Sequence, residues 1–365
     1  MEIKFSVEQM EMQPTLLCNL DCAYCYLSSR DKNRRMAPSI AKRVAQWIAE
    51  MDSAIEIIWH GGEPLICGLN YFLQLISPFE KLREQGIVHH GIQTNATLIN
   101  KRWCEFFHSY QFRVGVSLDG PLWANTQRVK RNGEPAFDKT MRGINHLRKA
   151  NIPFSVICVI GKNSLNKARE LYEFFSKIGC MSLGINIEET LGVHIVNSRN
   201  DDDVILTFWQ ELFSCWQKNP VIKMRDFARV LSSLALLGSE VQNKPPALYD
   251  IFPSVAWNGD VTLLSPEFLN TSASCYGNFV VGNVLDKNIK SIIKQGENAS
   301  YVQDFLRGVS RCREECEYFP LCYGGQAGNK FFEYGTTDTT ETTFCRNSEK
   351  RLVDAILQQL EQSEI

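Results

Sequence analysis

From about residue 10 to about residue 190, short runs of β-branched and apolar residues alternate with longer stretches whose apolar positions recur every three to four residues. The runs Met12–Leu17, Ile55–His60, His90–Thr94, Phe112–Leu118, Phe154–Ile160 and Met181–Ile187 predict strands. Several are nearly all apolar, as strands covered on both faces must be. Between them, Ile40, Val44, Ile48 and Met51 follow Pro38 and Ser39 at helical spacing, as do Phe72, Leu75, Ile76 and Phe79. Strand and helix repeated in this way predict an α/β fold with a parallel sheet curled into a partial (βα)6, TIM-like barrel. Functional groups of such folds collect in the loops leaving the C-terminal strand ends.

After Thr190 the pattern changes. Two helices, around Asp203–Gln217 and Arg225–Leu237, interrupt the alternation, and Asn243-Lys-Pro-Pro246 reads as a linker. Val255–Val261 predicts a β-hairpin turning at Asn258-Gly259, followed by a tail rich in Cys and Gly. The expected domains are therefore a barrel over 1–190, a helical bridge over 191–246 and a smaller domain over 247–365. Leu352, Ile356 and Leu360 form a helical stripe near the end, read as a packing face.

At 365 residues the chain exceeds what one core usually supports, which agrees with that division. A net charge of −2 lacks the basic excess needed to hold phosphate backbones, so nucleic acid is not an expected partner. No stretch approaches ~18 uninterrupted apolar residues, and the first residues lack a signal-peptide run; a cytoplasmic protein without membrane partners is expected. The 13 cysteines, odd in number and set in a reducing compartment, then point to metal binding rather than disulfides.

They fall into two groups. Leu17-Cys18-Asn-Leu-Asp-Cys22-Ala-Tyr-Cys25-Tyr26 places three thiols in C-x3-C-x2-C spacing after the first predicted strand. Three thiolates hold three irons of a 4Fe–4S cluster and leave the fourth open to a reacting ligand. A three-cysteine zinc site or chance core cysteines are the alternatives. Near the end, Cys312, Cys316, Cys322 and Cys345 can close a complete four-thiolate cluster, or a structural zinc site. Cys67, Cys104, Cys158, Cys180 and Cys215 sit in apolar contexts and read as core, and Cys275 reads as packing or free.

The first motif and its position resemble the radical SAM superfamily, in which the open iron binds S-adenosylmethionine. Reductive cleavage there yields a 5′-deoxyadenosyl radical that removes a substrate hydrogen. The resemblance assigns the cofactor to Tyr24 within the cysteine loop, to Gly61-Gly62-Glu63-Pro64, to Gln93 and Asn95, to Ser117 and Asp119, and to Arg128. Glu63 suits the methionine ammonium, Asp119 and Ser117 the ribose diol, and Arg128 the carboxylate. Asn125-Thr126 stands where related sequences usually carry His-Asp, and His60 reads as a hydrogen-bonded structural histidine.

The tail resembles the SPASM extension of peptide-modifying members, which implies an auxiliary 4Fe–4S cluster. It lacks the paired upstream cysteines of the full pattern, widens C-x2-C to C-x3-C, and has Gln326 where a further ligand is expected. Gln13–Leu27, Asn186-Ile-Glu-Glu189 and Ser265-Pro-Glu267 are similar to cyclophane-forming peptide maturases, which join an aromatic ring carbon to a β-carbon of a nearby residue. Glu267 is the candidate base, with Glu188 and Glu189 as competitors; if the strand persists through that pair, only one of them faces the barrel interior. The implied cofactors are two 4Fe–4S clusters and S-adenosylmethionine. The implied partners are a ribosomal precursor peptide and an electron donor such as flavodoxin or ferredoxin. The few residues before the first strand suggest that any leader recognition uses other parts of the chain or a separate protein. The alternatives are oxidation of a Ser or Cys side chain, as in anaerobic sulfatase maturation, and a non-catalytic iron–sulfur or zinc module.

Overall fold

The computed structural model describes residues 4–51, 53–196, 202–237 and 248–363. The strands are β1 (Lys4–Ser6), β2 (Gln9–Met12), β3 (Ile55–Trp59), β4 (Val88–Thr94), β5 (Arg113–Ser117), β6 (Phe154–Ile160), β7 (Ser182–Ile187), β8 (Lys223–Met224), β9 (Leu248–Asp250), β10 (Ser254–Val255), β11 (Asp260–Thr262) and β12 (Gly282–Asn283). The first half carries helices α1 (Pro38–Ile48), α2 (Leu69–Ile76), α3 (Glu80–Glu84), α4 (Lys101–Ser109), α5 (Phe137–Lys149) and α6 (Ala168–Ile178). The second carries α7 (Asp202–Lys218), α8 (Arg225–Leu237), α9 (Ile289–Gly296), α10 (Ser300–Glu315), α11 (Phe319–Cys322), α12 (Ala327–Tyr334) and α13 (Arg351–Ser363).

Strands β2 to β7 lie side by side in chain order and all parallel, with helices in every crossover, which is the expected partial barrel. One large sheet runs β12-β11-β10-β2-β3-β4-β5-β6-β7-β8. A second, of two strands, pairs β1 with β9. The expected hairpin exists as β10 and β11, and it does not stand apart: Ser254 and Val255 pair in parallel with Glu11 and Met12, so the hairpin continues the barrel sheet past β2.

The strands are less uniformly covered than their composition suggests. In β6, Phe154, Val156, Cys158 and Ile160 are buried under the helices, whereas Ile157 and Val159 face a central cavity. Each helix supplies the matching stripe. Leu171, Tyr172, Phe175 and Ile178 of α6 are buried at helical spacing, and each large apolar side chain so covered contributes about 1.5–3 kcal/mol.

Some boundaries move. The first barrel strand ends at Met12 rather than Leu17, because Pro14 has no N–H for a ladder and Thr15 forms its bridge with Arg35 instead. Cys18 therefore lies on a long loop and not directly after the strand. Met51 falls beyond α1, and Phe79 sits in a short 3-10 turn after α2, buried all the same. The bridge helices and the C-terminal stripe are present; Leu352 and Ile356 are buried, while Leu360 is at the exposed rim. The Asn243–Pro246 linker lies outside the described residues. Cys67, Cys104, Cys158 and Cys180 are buried, Cys215 half-buried and Cys275 exposed. Among the described residues no helix is long and apolar enough to cross a membrane.

Candidate functional site

The cavity at the C-terminal strand ends has a volume of about 610 Å³. At one end stand Cys18, Cys22 and Cys25, on a loop anchored to the barrel by backbone hydrogen bonds. Cys18 N donates to Arg30 O (2.9 Å), Ala23 N to Gln127 O (3.0 Å) and Asp21 N to Val129 O (2.8 Å). Gly62 makes this loop possible. With φ of +60°, a Cβ there would stand 2.5 Å from Leu17 O and 2.8 Å from both Leu16 O and Thr15 O. The close approach is thus made by the cysteine loop's own backbone, a reason for the glycine that the motif alone does not reveal.

Glu63 accepts hydrogen bonds from Leu65 N (3.0 Å), Thr94 Oγ1 (2.7 Å) and Asn95 N (2.8 Å) and faces the cavity. Burial pushes its carboxyl up and these three bonds oppose that shift. Gln93 Nε2 donates to Ser117 Oγ (2.8 Å), and both line the cavity with Asn95. Asp119 lies behind them. Its oxygens accept from Tyr24 Oη (2.7 Å) and Val159 N (3.1 Å), and Tyr24 Oη accepts in turn from Arg128 Nη1 (2.6 Å). Asn125 O accepts from Arg128 N (3.2 Å), and its Oδ1 accepts from Asp119 N (3.0 Å). Gly61 and Pro64 shape the turn that carries Glu63, and neither lines the cavity.

Arg128 is 6% exposed, lines the cavity, and among the described residues its Nε has no hydrogen-bond partner. A buried guanidinium donor left unpaired is costly. A cavity combining three thiols, a hydrogen-bonded carboxylate and an unsatisfied guanidinium fits a zwitterionic amino-acid ligand beside a thiolate-held group.

The same cavity is lined by further acidic groups. Because β7 stops at Ile187, Glu188 and Glu189 follow it as irregular chain, and both reach the cavity; the alternation that would have separated them does not apply. Glu188 accepts from Gln127 Nε2 (3.3 Å) and pairs with His194 (3.1 Å). Glu189 accepts from Asn329 Nδ2, and burial, followed by the charges of Glu267 and Glu333, pushes its carboxyl up to about 8. Glu267, in a 3-10 turn after β11, accepts from Ser265 Oγ; burial raises it too. His60 also lines the cavity, its Nδ1 3.0 Å from Glu11 Oε2. Burial alone would lower His60, but the Glu11 charge and hydrogen bond outweigh it and raise it. Glu11, Asn329 and Phe344 were not legible as site residues; only the polar Gln9 and Glu11 alternating with buried methionines in β2 hinted at an inward charge.

The tail cysteines meet in a second cavity of about 390 Å³. Cys312 lies in the last turn of α10, Cys316 caps it, Cys322 ends α11, and Cys345 opens a π-helical turn, Cys345–Lys350. Gly324 N approaches Cys322 Sγ (3.5 Å) and Cys345 N donates to Thr342 Oγ1 (3.0 Å). Among the described residues no three His, Cys, Asp or Glu groups converge on one ion-sized point. Thiols spaced around a cavity suit a multi-iron group, which spreads its ligands over separate irons. Gln326 lines both cavities.

Comparison with known proteins agrees with this geometry. The family described as the Radical SAM superfamily matches residues 12–175. An uncharacterised protein of Synechocystis sp. is 33% identical over 96% of this chain and 92% of its own length. A cysteine-type anaerobic sulfatase-maturating enzyme of Clostridium perfringens is 25% identical over 84% of this chain and 85% of its own. The structure of native anSMEcpe with bound AdoMet and Cp18Cys peptide superposes with a TM-score of 0.79 at 21% identity, covering 98% of this chain and 99% of that one. Streptococcus suis SuiB bound to precursor peptide SuiA gives 0.65 at 17% identity, over 94% and 76%. With its three-cysteine loop, its parallel barrel and these relatives, the chain belongs to the radical SAM superfamily, and its cofactors are a 4Fe–4S cluster and S-adenosylmethionine.

Proposed function

We propose that this enzyme modifies a residue within a ribosomal precursor peptide, joining a side-chain β-carbon to an aromatic ring carbon to close a cyclophane. The observation that carries this reading is the pair Glu189 and Glu267. Both line the cavity that the cysteine loop also lines, both are held by neutral donors rather than cations, and both are raised in pKa. Restoring aromaticity after ring attack requires loss of one electron and one proton, so a basic carboxylate is needed at the ring.

The bound cofactor supplies the carbon radical that removes the substrate hydrogen. The chain's residues do the rest. Glu63 holds the ammonium, Arg128 the carboxylate, and Ser117 and Gln93 the ribose. Burial and the neighbouring carboxylates push the Glu189 carboxyl up to about 8, and Glu267, raised by burial as well, is assigned as the group that accepts the ring proton. Ile157, Val159, Ile185 and Ile187 give the reacting side chains an apolar bed. Cys312, Cys316, Cys322 and Cys345 would hold a second 4Fe–4S cluster, which would supply an acceptor for the electron, and a flavodoxin or ferredoxin would be the external electron donor. A leader sequence docks elsewhere on the chain or on a separate protein.

The likeness to sulfatase-maturating enzymes favours a second reading, oxidation of a Ser or Cys side chain. Gln326 in a ligand position and the absent upstream cysteines favour the first. Anaerobic reaction of the reduced, reconstituted enzyme with peptides from neighbouring small reading frames separates them by mass spectrometry. A crosslinked peptide loses two hydrogens, resists fragmentation inside the ring and ignores carbonyl reagents; an oxidised side chain is captured by hydrazide. No cofactor cleavage with any peptide would overturn both and leave a binding module.

A further inference from the structure

Lys330, on α12, is 1% exposed, and its Nζ has no hydrogen-bond partner among the described residues. It lines the tail cavity together with Cys312, Cys322 and Cys345. Its other neighbour is the Phe305 ring face, 5.1 Å away. The slot is made by Gly308 of α10: a Cβ there would stand 3.1 Å from Nζ and 2.6 Å from Thr339 O. Lys350 shares the cavity but is spoken for, since Glu341 binds it and also takes Arg346.

An ammonium buried without a partner is costly, so a fold that keeps one leaves room for an anion beside it. Four thiolates around a two-plus iron–sulfur core carry a net charge of two-minus, and three-minus once reduced. Charge and hydrogen bonds around the sulfurs set such a cluster's potential.

We propose that Lys330 is the built-in counter-cation of the tail cluster: it donates hydrogen bonds to the sulfur ligands and raises the reduction potential, so that the cluster accepts an electron. The one electron taken up comes from the radical left on the peptide after ring attack, which is thereby oxidised. The proposal rests on the tail holding a 4Fe–4S cluster.

The test uses the full chain with Cys18, Cys22 and Cys25 all changed to Ala, so that only the tail cluster remains, and follows a redox titration by electron paramagnetic resonance. Lys330→Met and Lys330→Gln each make reduction at least tenfold less favourable, ~59 mV for one electron. Lys330→Arg keeps the charge and stays within about a third of that shift. Loss of iron from both neutral variants, with retention in Lys330→Arg, is an equal confirmation, because charge alone separates them. Unmoved potentials in loaded neutral variants, or loss of iron from all three, would overturn the proposal. A parent with zinc, or with no metal, in its tail refutes the cluster reading itself, and is told apart by metal analysis before any Lys330 variant is made.

Discussion

In the barrel, three thiols come from one eight-residue stretch, Cys18–Cys25, pinned by backbone hydrogen bonds to its surroundings and open on one side to a large cavity. In the tail, four thiols come from three elements, Cys312 and Cys316 from α10 and its cap, Cys322 from α11 and Cys345 from the π-helical turn, brought together only by the packing of those elements. The buried cations differ as well. Arg128 donates to Tyr24 while its Nε is unsatisfied, whereas the Lys330 Nζ has no hydrogen-bond partner, in each case among the described residues. A local loop with a missing fourth ligand suits a site that must admit and release a reactant. A site assembled by the tertiary fold, with a full ligand set, suits one that must hold a group permanently and pass electrons.

The largest test of this contrast removes one side of it. Changing Cys18, Cys22 and Cys25 to Ala should reduce 5′-deoxyadenosine formation to background while leaving about 4 of about 8 irons, all in the tail. Undiminished cofactor cleavage would refute the barrel assignment. Next comes Glu267→Gln, which keeps the shape but not the base: product should fall by roughly 10²-fold while cofactor cleavage continues. Normal yield, measured by mass spectrometry, moves the role to Glu189, Glu188 or water.

Gly62→Ala sharpens the contrast sterically. Its Cβ would meet three carbonyl oxygens of the cysteine loop, so barrel iron should drop and tail iron should not, with total iron falling from about 8 toward about 4. Equal losses from both sites would mean that the barrel site is not independently held by its loop. The smallest effect is in stability. Glu189 keeps its proton up to about 8 in the folded chain against an ordinary value of 4.5, so the stability it contributes at acid pH is lost as pH rises through that window. Glu189→Gln cannot ionise, and its melting temperature should exceed the parent's by a few degrees more at about pH 8.5 than at about pH 5. A pH-independent difference would show that the carboxyl titrates normally.

What the sequence disclosed follows the same division. Cys18, Cys22, Cys25 and Glu63 lie near one another in the chain or at successive strand ends, so spacing, strand order and the family resemblance were enough to single them out as candidates. The β-hairpin was legible from Asn258-Gly259, but not its pairing with β2, because nothing local marks a partner so distant. The expected strand end at Leu17 was wrong for a tertiary reason, the bridge from Thr15 to Arg35. Glu11, Asn329 and Lys330 were missed because each looks ordinary in its own element. Only the meeting of β2 with His60, and of α12 with two cavities, gives them chemistry.

The pairing of β10 with β2 also bears on how the protein is made. Met12 waits for Val255, which emerges from the ribosome roughly 10–50 s later at ordinary elongation rates. During that interval the nascent barrel has a bare strand edge next to its metal-binding loop, a template for pairing with neighbouring chains. Slow codons between the two strands should therefore lower soluble yield, and early binding of a chaperone or of the iron–sulfur delivery machinery should raise it.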